Sequence, residues 1–254
     1  MGKNKVSAVI ITFNNAETLE ETLATLKWCD EIVVVDSGSC DQTKEICLQH
    51  GCCFSTHPFD GYGPQKQYAT SLARNNWILS IDSDEVMSEA LQQEIQTIFS
   101  EETIPYSGFE IIISLHFMGK LFRYGRESKL SHIRLYNRNY GGFSDNKLHE
   151  RIVLQGEVKQ LRNIIIHHSY KDLRHYFEKF NKFTSLAVED AIRNNKKANK
   201  LQILVKFPAG FLIFYIWQRN FLNGFPGFVW SVISAYYKFV KYLKLYEALN
   251  IRNK

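Results

Sequence analysis

No Gly-x-Gly-x-x-Gly follows any apolar run of this sequence, and no Gly-x-x-x-x-Gly-Lys occurs. The dinucleotide and P-loop cradles are therefore excluded. Cys-x-x-Cys is absent too, and the five cysteines (Cys29, Cys40, Cys47, Cys52 and Cys53) all lie within the first 53 of 254 residues. An odd count without regular pairing predicts reduced thiols and argues against both a disulfide framework and a zinc knuckle. Only 5 prolines are present. The longest apolar stretch, LVKFPAGFLIFYIW (204–217), contains Lys206 and Pro208. It falls short of the ~20 residues of a spanning helix. Val6–Ile11 is too brief for a signal-peptide core, and Val6 stands where a myristoylation signal requires Ser or Thr. A cytoplasmic location is the expectation.

What is present suits a folded globular protein. Hydrophobic residues make up 45% and aromatics 14%, enough for a sizeable core in one large domain or one domain with an appendage. Charge divides unevenly. Residues 1–150 carry 13 Lys and Arg against 20 Asp and Glu, a net of −7, whereas 151–254 carry 18 against 6, a net of +12. A basic second part could meet nucleic acid, an anionic membrane surface or a phosphorylated substrate. Nucleic acid is disfavoured, because the basic residues sit on apolar helices without a docking motif.

Short apolar runs alternate with amphipathic stretches over the first hundred residues. VSAVIIT (6–12), EIVVVD (31–36), CCFSTH (52–57) and WILSID (77–82) read as strands. Helices are predicted over 16–28, about 41–50, 64–74 and, capped by Ser88, to Phe99. Four such units predict a parallel sheet covered on both faces, with ligands beyond the carboxyl ends of the strands. FEIIISLHF, HIRLYNR, RIVLQGEV and RNIIIHHS predict a mixed extension of that sheet. From Asp172 the chain reads helical, with a polar break at 194–200 and two apolar segments split by NGFPG (223–227). The fold class is thus α/β, a Rossmann-like mostly parallel sheet with a C-terminal helical region. The expected division is 1–170 (parts 1–100 and 101–170) and 171–254.

Polar clusters sit at the strand ends. Asp82 and Asp84 flank Ser83, and two carboxylates at i and i+2 on a strand end point the same way. Their repulsion is relieved by a cation, and Mg²⁺ commonly binds carboxylates together with substrate phosphates. The plainer reading is a solvated turn. Asp36 could accept hydrogen bonds from a base or ribose, while Asp41 caps the next helix; Thr12 and Asn14 add polar contacts. Arg123, Tyr124, Arg126 and Arg134 form a basic and aromatic set for an anionic acceptor or a solvated edge. His167 and His168 read as structural, no third ligand being apparent.

VIITFNN, VVVDSGSCDQT, GYGPQKQYA and ILSIDSDE, in that order over residues 5–90, resemble the nucleotide-binding half of family 2 glycosyltransferases. The resemblance implies a GT-A fold and inverting transfer of a sugar from a nucleoside diphosphate. By motif, Thr12, Asn14 and Asp36 would contact the nucleoside. Lys66 would lie near it or the diphosphate, and Asp82 and Asp84 would hold Mn²⁺ or Mg²⁺. Gln67 replaces a frequent Asn. KLHERI (147–152) and residues 221–244 are similar to lipopolysaccharide-core glucosyltransferase-like members, with Asn223 where Asp is frequent. The implied donor is a UDP-sugar, with glucose expected. The implied acceptor is a lipid-linked or lipopolysaccharide-core oligosaccharide; a polyprenyl phosphate is the alternative, and a non-catalytic nucleotide-binding protein a more distant one.

Inversion requires a base for the acceptor hydroxyl. Glu150, between His149 and Arg151, is the first choice, with Asp145 and Glu85 in reserve. The plainer reading is an ion pair of Glu150 with Arg151 or Lys147. Over 228–246, Ser231, Ser234, Lys238, Lys241 and Lys244 share one helical face, and Val229, Val232, Ile233, Tyr236, Phe239, Val240 and Leu243 the other. Such a helix fits peripheral binding to the anionic inner face of the cytoplasmic membrane, or packing on the catalytic domain.

Overall fold

The computed structural model describes residues 4–144, 151–170 and 172–250. In chain order the elements are β1 (Val6–Thr12), α1 (Ala16–Ala24), β2 (Glu31–Asp36), α2 (Thr43–Gln49), β3 (Cys53–Thr56) and α3 (Tyr62–Leu72). Then come β4 (Trp77–Ser80), β5 (Glu85–Met87), α4 (Glu89–Phe99), β6 (Gly108–Phe117), β7 (Lys120–Leu121) and β8 (Leu130–Asn137). β9 (Gly141–Phe143), β10 (Ile152–Leu154), β11 (Val158–His167), α5 (Leu173–Arg193), α6 (Lys200–Leu212) and α7 (Gly224–Asn250) complete the chain.

These elements form two compact units, one of residues up to Ser114 with Leu130–His168, the other of Leu115–Lys129 with everything from Ser169. The first is a sheet in the order β3-β2-β1-β4-β8-β6-β11-β5. β1 pairs in parallel with β2 and β4, and β2 with β3. β8 runs antiparallel to β4 and β6, and β11 antiparallel to β5. The predicted α/β architecture, a parallel half with a mixed extension and a helical C-terminal region, is the observed one.

Continuous apolar strands mark the parallel half because both faces are covered. Val34, Ala8, Ile10 and Leu79 join Leu19, Leu23, Leu91 and Ile95 of α1 and α4 in one core. Val9, Val33, Val35 and Ile78 pack with Ala69, Ala73 and Tyr136 in another. Truncating a fully buried leucine such as Leu19 would cost about 2–5 kcal/mol. Ser88 caps α4 as expected, its side chain accepting from the Leu91 N–H. Gln42 occupies the cap position of α2, but it is the Asp41 carboxylate that accepts the Thr43 N–H and hydroxyl there, and it also accepts the Ala16 N–H, tying the loop after β2 to the start of α1. β5 was hidden in the sequence behind the acidic turn, and its three residues pair with β11.

In the second unit, β7 folds back on the end of β6, and α5, α6 and α7 follow. Its core is aromatic: Phe117, Phe122, Tyr176, Phe180 and Trp230, with Leu115 and Ile233. Phe214, in a π-helical turn (Ile213–Trp217), continues α6. NGFPG is not a break in helicity beyond Gly224, because α7 begins there and accommodates Pro226 in its first turn. Gly227 is required by packing, since a Cβ there would lie 2.0 Å from the Asn220 carbonyl oxygen.

Candidate functional site

At the carboxyl end of β1, Thr12 is buried and its Oγ1 finds no hydrogen-bond partner among the described residues. Asn14 turns the chain with φ +49°, a left-handed conformation that Asn tolerates well. Its side-chain oxygen accepts from the Cys40 N–H at 2.9 Å. Asp36 closes the loop that follows β2. Its carboxylate accepts the N–H groups of Gly38 and Ser39 at 2.9 and 2.8 Å and the Ser39 hydroxyl. Gly38, at φ +94°, lets that turn form. TFNN and DSGSCD, read separately in sequence, are therefore one bonded rim.

The acidic turn after β4 is fixed from α1. Ser83 Oγ accepts from Asn15 Nδ2 at 2.7 Å, and the Ser83 carbonyl accepts from the hydroxyls of Thr18 and Thr22. Asp82 meets two cations of the chain itself: Lys66 Nζ at 2.9 Å from Oδ1 and Arg134 Nη2 at 2.9 Å from Oδ2. The same guanidinium bonds Glu85, which is wholly buried and also accepts the Asp82 N–H. Burial alone would raise the Asp82 pKa, but Arg134 and Lys66 override it and hold the carboxyl far below the usual range. At Glu85 burial wins: it and the charge of Asp82 push the carboxyl up despite Arg134.

Asp84 faces elsewhere. His167 Nε2 lies 3.3 Å from its Oδ1, and its carbonyl accepts the His168 N–H. Burial would lower the His167 pKa, but the hydrogen bond and charge of Asp84 raise it. His167, read in the sequence as structural, is thus paired with the acidic turn. Its place at the end of β11, opposite Glu85 in the β5 pairing, carries it to the acidic turn.

A cavity of about 510 Å³, within the range of small-ligand sites, opens beside this turn. Lys66, Asp82, Glu110, Ser131, Arg134 and Arg151 are among the residues that line it, with His132. Ser131 donates to Glu110 at 3.0 Å. Gln67 reaches the Phe143 carbonyl at 3.0 Å, fastening α3 to β9. Arg134 leaves the basic set proposed for residues 123–134: it serves Asp82, while Arg123, Tyr124 and Arg126 belong to the second unit. Glu150, with Asp145, Lys147 and His149, lies outside the described residues.

Among the described residues no three His, Cys, Asp or Glu side chains cluster closely enough to form a metal site alone. Asp84 with His167 nevertheless offers an oxygen and a nitrogen suited to a divalent ion whose other positions go to phosphate oxygens. Both Asp82 oxygens already face positive charge, so a cation fits better at Asp84.

An uncharacterised glycosyltransferase of Rickettsia typhi is 31% identical over 98% of this chain and 89% of its own length. Lipopolysaccharide core biosynthesis glycosyltransferase LpsC of Rhizobium meliloti is 27% identical over 96% of this chain and 93% of its own. Glucosyl-3-phosphoglycerate synthase from Mycobacterium tuberculosis, solved with Mn²⁺ and uridine-diphosphate-glucose, aligns at 19% identity and a TM-score of 0.36. That likeness covers 45% of this chain and 44% of that one, and no ligand is carried over from it. The family model described as glycosyl transferase family 2 matches residues 7–150. That span takes in the bonded rim of β1 and β2, Lys66 and the acidic turn, and this chain belongs to glycosyl transferase family 2.

Proposed function

We propose that the chain is an inverting transferase that moves a hexose, glucose first, from a UDP-sugar to a lipid-linked or lipopolysaccharide-core saccharide. It would work at the inner face of the cytoplasmic membrane, with Mn²⁺ or Mg²⁺ on the diphosphate. One observation carries the reading: Asp82 holds Lys66 and Arg134 at 2.9 Å each, beside Asp84 and His167. Fixed cations suit a diphosphate, and Asp84 with His167 follows on the same turn as an oxygen and a nitrogen for a divalent ion. The kinship with LpsC, named for lipopolysaccharide core biosynthesis, supports the acceptor class.

Thr12 Oγ1, buried without a partner, is the group left over for the nucleoside. Asp36 and Asn14 shape the loop that receives it. Lys66 and Arg134 stabilise negative charge on the leaving diphosphate without reorganising, because Asp82 already orients them. A divalent ion at Asp84 and His167, with Asp82 adjacent, would neutralise further charge on that diphosphate. Glu110, Ser131 and His132 offer hydroxyl-binding groups on the acceptor side. Glu150 serves as the base, accepting the acceptor's hydroxyl proton as oxygen attacks the anomeric carbon.

Calorimetry of UDP with and without Mn²⁺ tests the donor reading. UDP is expected to bind, more tightly with Mn²⁺, and Asp84→Ala is expected to abolish the difference. No uptake at any Mn²⁺ level ends the proposal. Glu150→Gln is expected to lower turnover by about 10²-fold or more while UDP binding persists. Turnover surviving that change points instead to an acceptor already anionic, a polyprenyl phosphate.

A further inference from the structure

α6 and the π-helical turn after it form an 18-residue stretch, Lys200–Trp217, of which only 17% is buried. Its inner side is occupied: Ile203 and Phe214 are buried, Gly210 lies against Ala235 of α7, and Lys238 of α7 sits over the Phe214 ring. Its outer side carries Leu201, Leu204, Val205, Leu212 and Ile216, each at least half exposed. Their spacing, i, i+3, i+4, i+11 and i+15, is that of a single helical face. Trp217 follows at 85% exposed, and Phe225 at the start of α7 at 67%. A helix facing water reverses this pattern, with charged residues outward. An apolar strip of this extent marks a docking surface.

We infer that the outer face of α6 and its π-turn lies in the plane of an anionic membrane, buried among the lipids of one leaflet. Charge selects the occupant. Between Asn194 and Leu245 stand eight Lys and Arg and no Asp or Glu. Anionic headgroups complement that set, whereas a second copy of the chain would bring eight more positive charges to the contact. Lys206 and Lys241 flank Tyr242, and Lys238 has its pKa lowered by burial and by the nearby Lys206, Lys241 and Arg126. Spanning does not fit, because one side of α6 is already packed on α7, which in turn packs on α5. The inference rests on the membrane location proposed above and replaces the lysine face of α7 with a different surface.

The test is flotation of the full chain with vesicles of phosphatidylcholine and phosphatidylglycerol against phosphatidylcholine alone. The wild-type chain is expected on the anionic vesicles, with Trp217 emission shifted to the blue and quenched by brominated lipid. Leu204→Asp and Leu212→Asp, both at exposed positions, are expected to weaken binding roughly tenfold or more. Their melting temperature and UDP binding should stay unchanged, which separates failure of this surface from failure of the donor reading. Unbound wild-type chain at low salt overturns the inference. So does undiminished vesicle binding by both variants, or a dimer in sedimentation that either variant dissociates.

Discussion

The two units solve opposite problems. In the first, opposite charges meet inside the chain: Arg134 stands between Asp82 and the wholly buried Glu85, and Lys66 closes on Asp82. In the second, the charges lie outside and apolar side chains lie outside with them, from Leu201 to Trp217. The contrast teaches where ligands enter. A prepaired ionic recess holds its shape and awaits a small charged molecule, whereas an apolar face among lysines awaits a surface.

The harshest way to break the contrast is Arg134→Met. A buried pair that loses one partner leaves uncompensated charge, and the loss is about 3–5 kcal/mol of stability. Glu85 would then have burial and Asp82 against it and no guanidinium. A urea melt should show this loss, and adding Glu85→Gln should recover part of it. Lys197→Met, in the exposed break before α6, should stay within about 0.5 kcal/mol. Equal shifts for both variants would erase the distinction between the units.

Asn223→Asp sharpens the comparison from the other side, because the helical unit also contains one buried polar knot. Asn223 Oδ1 accepts the N–H groups of Arg123 and Tyr124, while its Nδ2 donates to the Tyr124 carbonyl and to Asn220 Oδ1. A carboxylate keeps the first pair and sets negative charge against two oxygens in the second. The expected loss is about 1–3 kcal/mol, read by thermal melting. This gives Asn223 a structural reason at a position where the members it resembles often carry Asp. A stabilised variant would mean the knot is wired differently.

Legibility followed sequence distance. Strands β1, β2 and β4 and the cap at Ser88 were readable because strand period and capping act within a few residues. The rim was readable in parts, since TFNN, DSGSCD and DSDE each end a strand. What the sequence concealed was long-range: Arg134 reaching Asp82 across 52 positions, and His167 arriving at Asp84 through the β5–β11 pairing. β5 itself is three residues long, too short for any periodicity to register. The face of α7 was misleading for a related reason. Ser231, grouped with the lysines by angle, is buried and donates to the Gly227 carbonyl, so helical angle alone does not say which side meets neighbours.

The finest discrimination between the two halves falls on Lys244. By angle it belongs to the α7 lysine row that would meet anionic lipid. In space its ammonium donates to the Asn181 carbonyl and side chain and to the hydroxyls of Thr184 and Ser185, at 2.8 to 3.2 Å, all on α5. Its three protons are thus spent on a helix–helix contact. The acceptors are neutral and, Thr184 apart, exposed, so Lys244→Ala should lower stability by only about 1 kcal/mol. A free lysine at an anionic leaflet contributes about 1 kcal/mol to binding. Lys244, tied to α5, should contribute less, and vesicle affinity should stay within about twofold. The reverse result, an unchanged melt with vesicle affinity down by about fivefold, would return lipid contact to the α7 row and take it from α6.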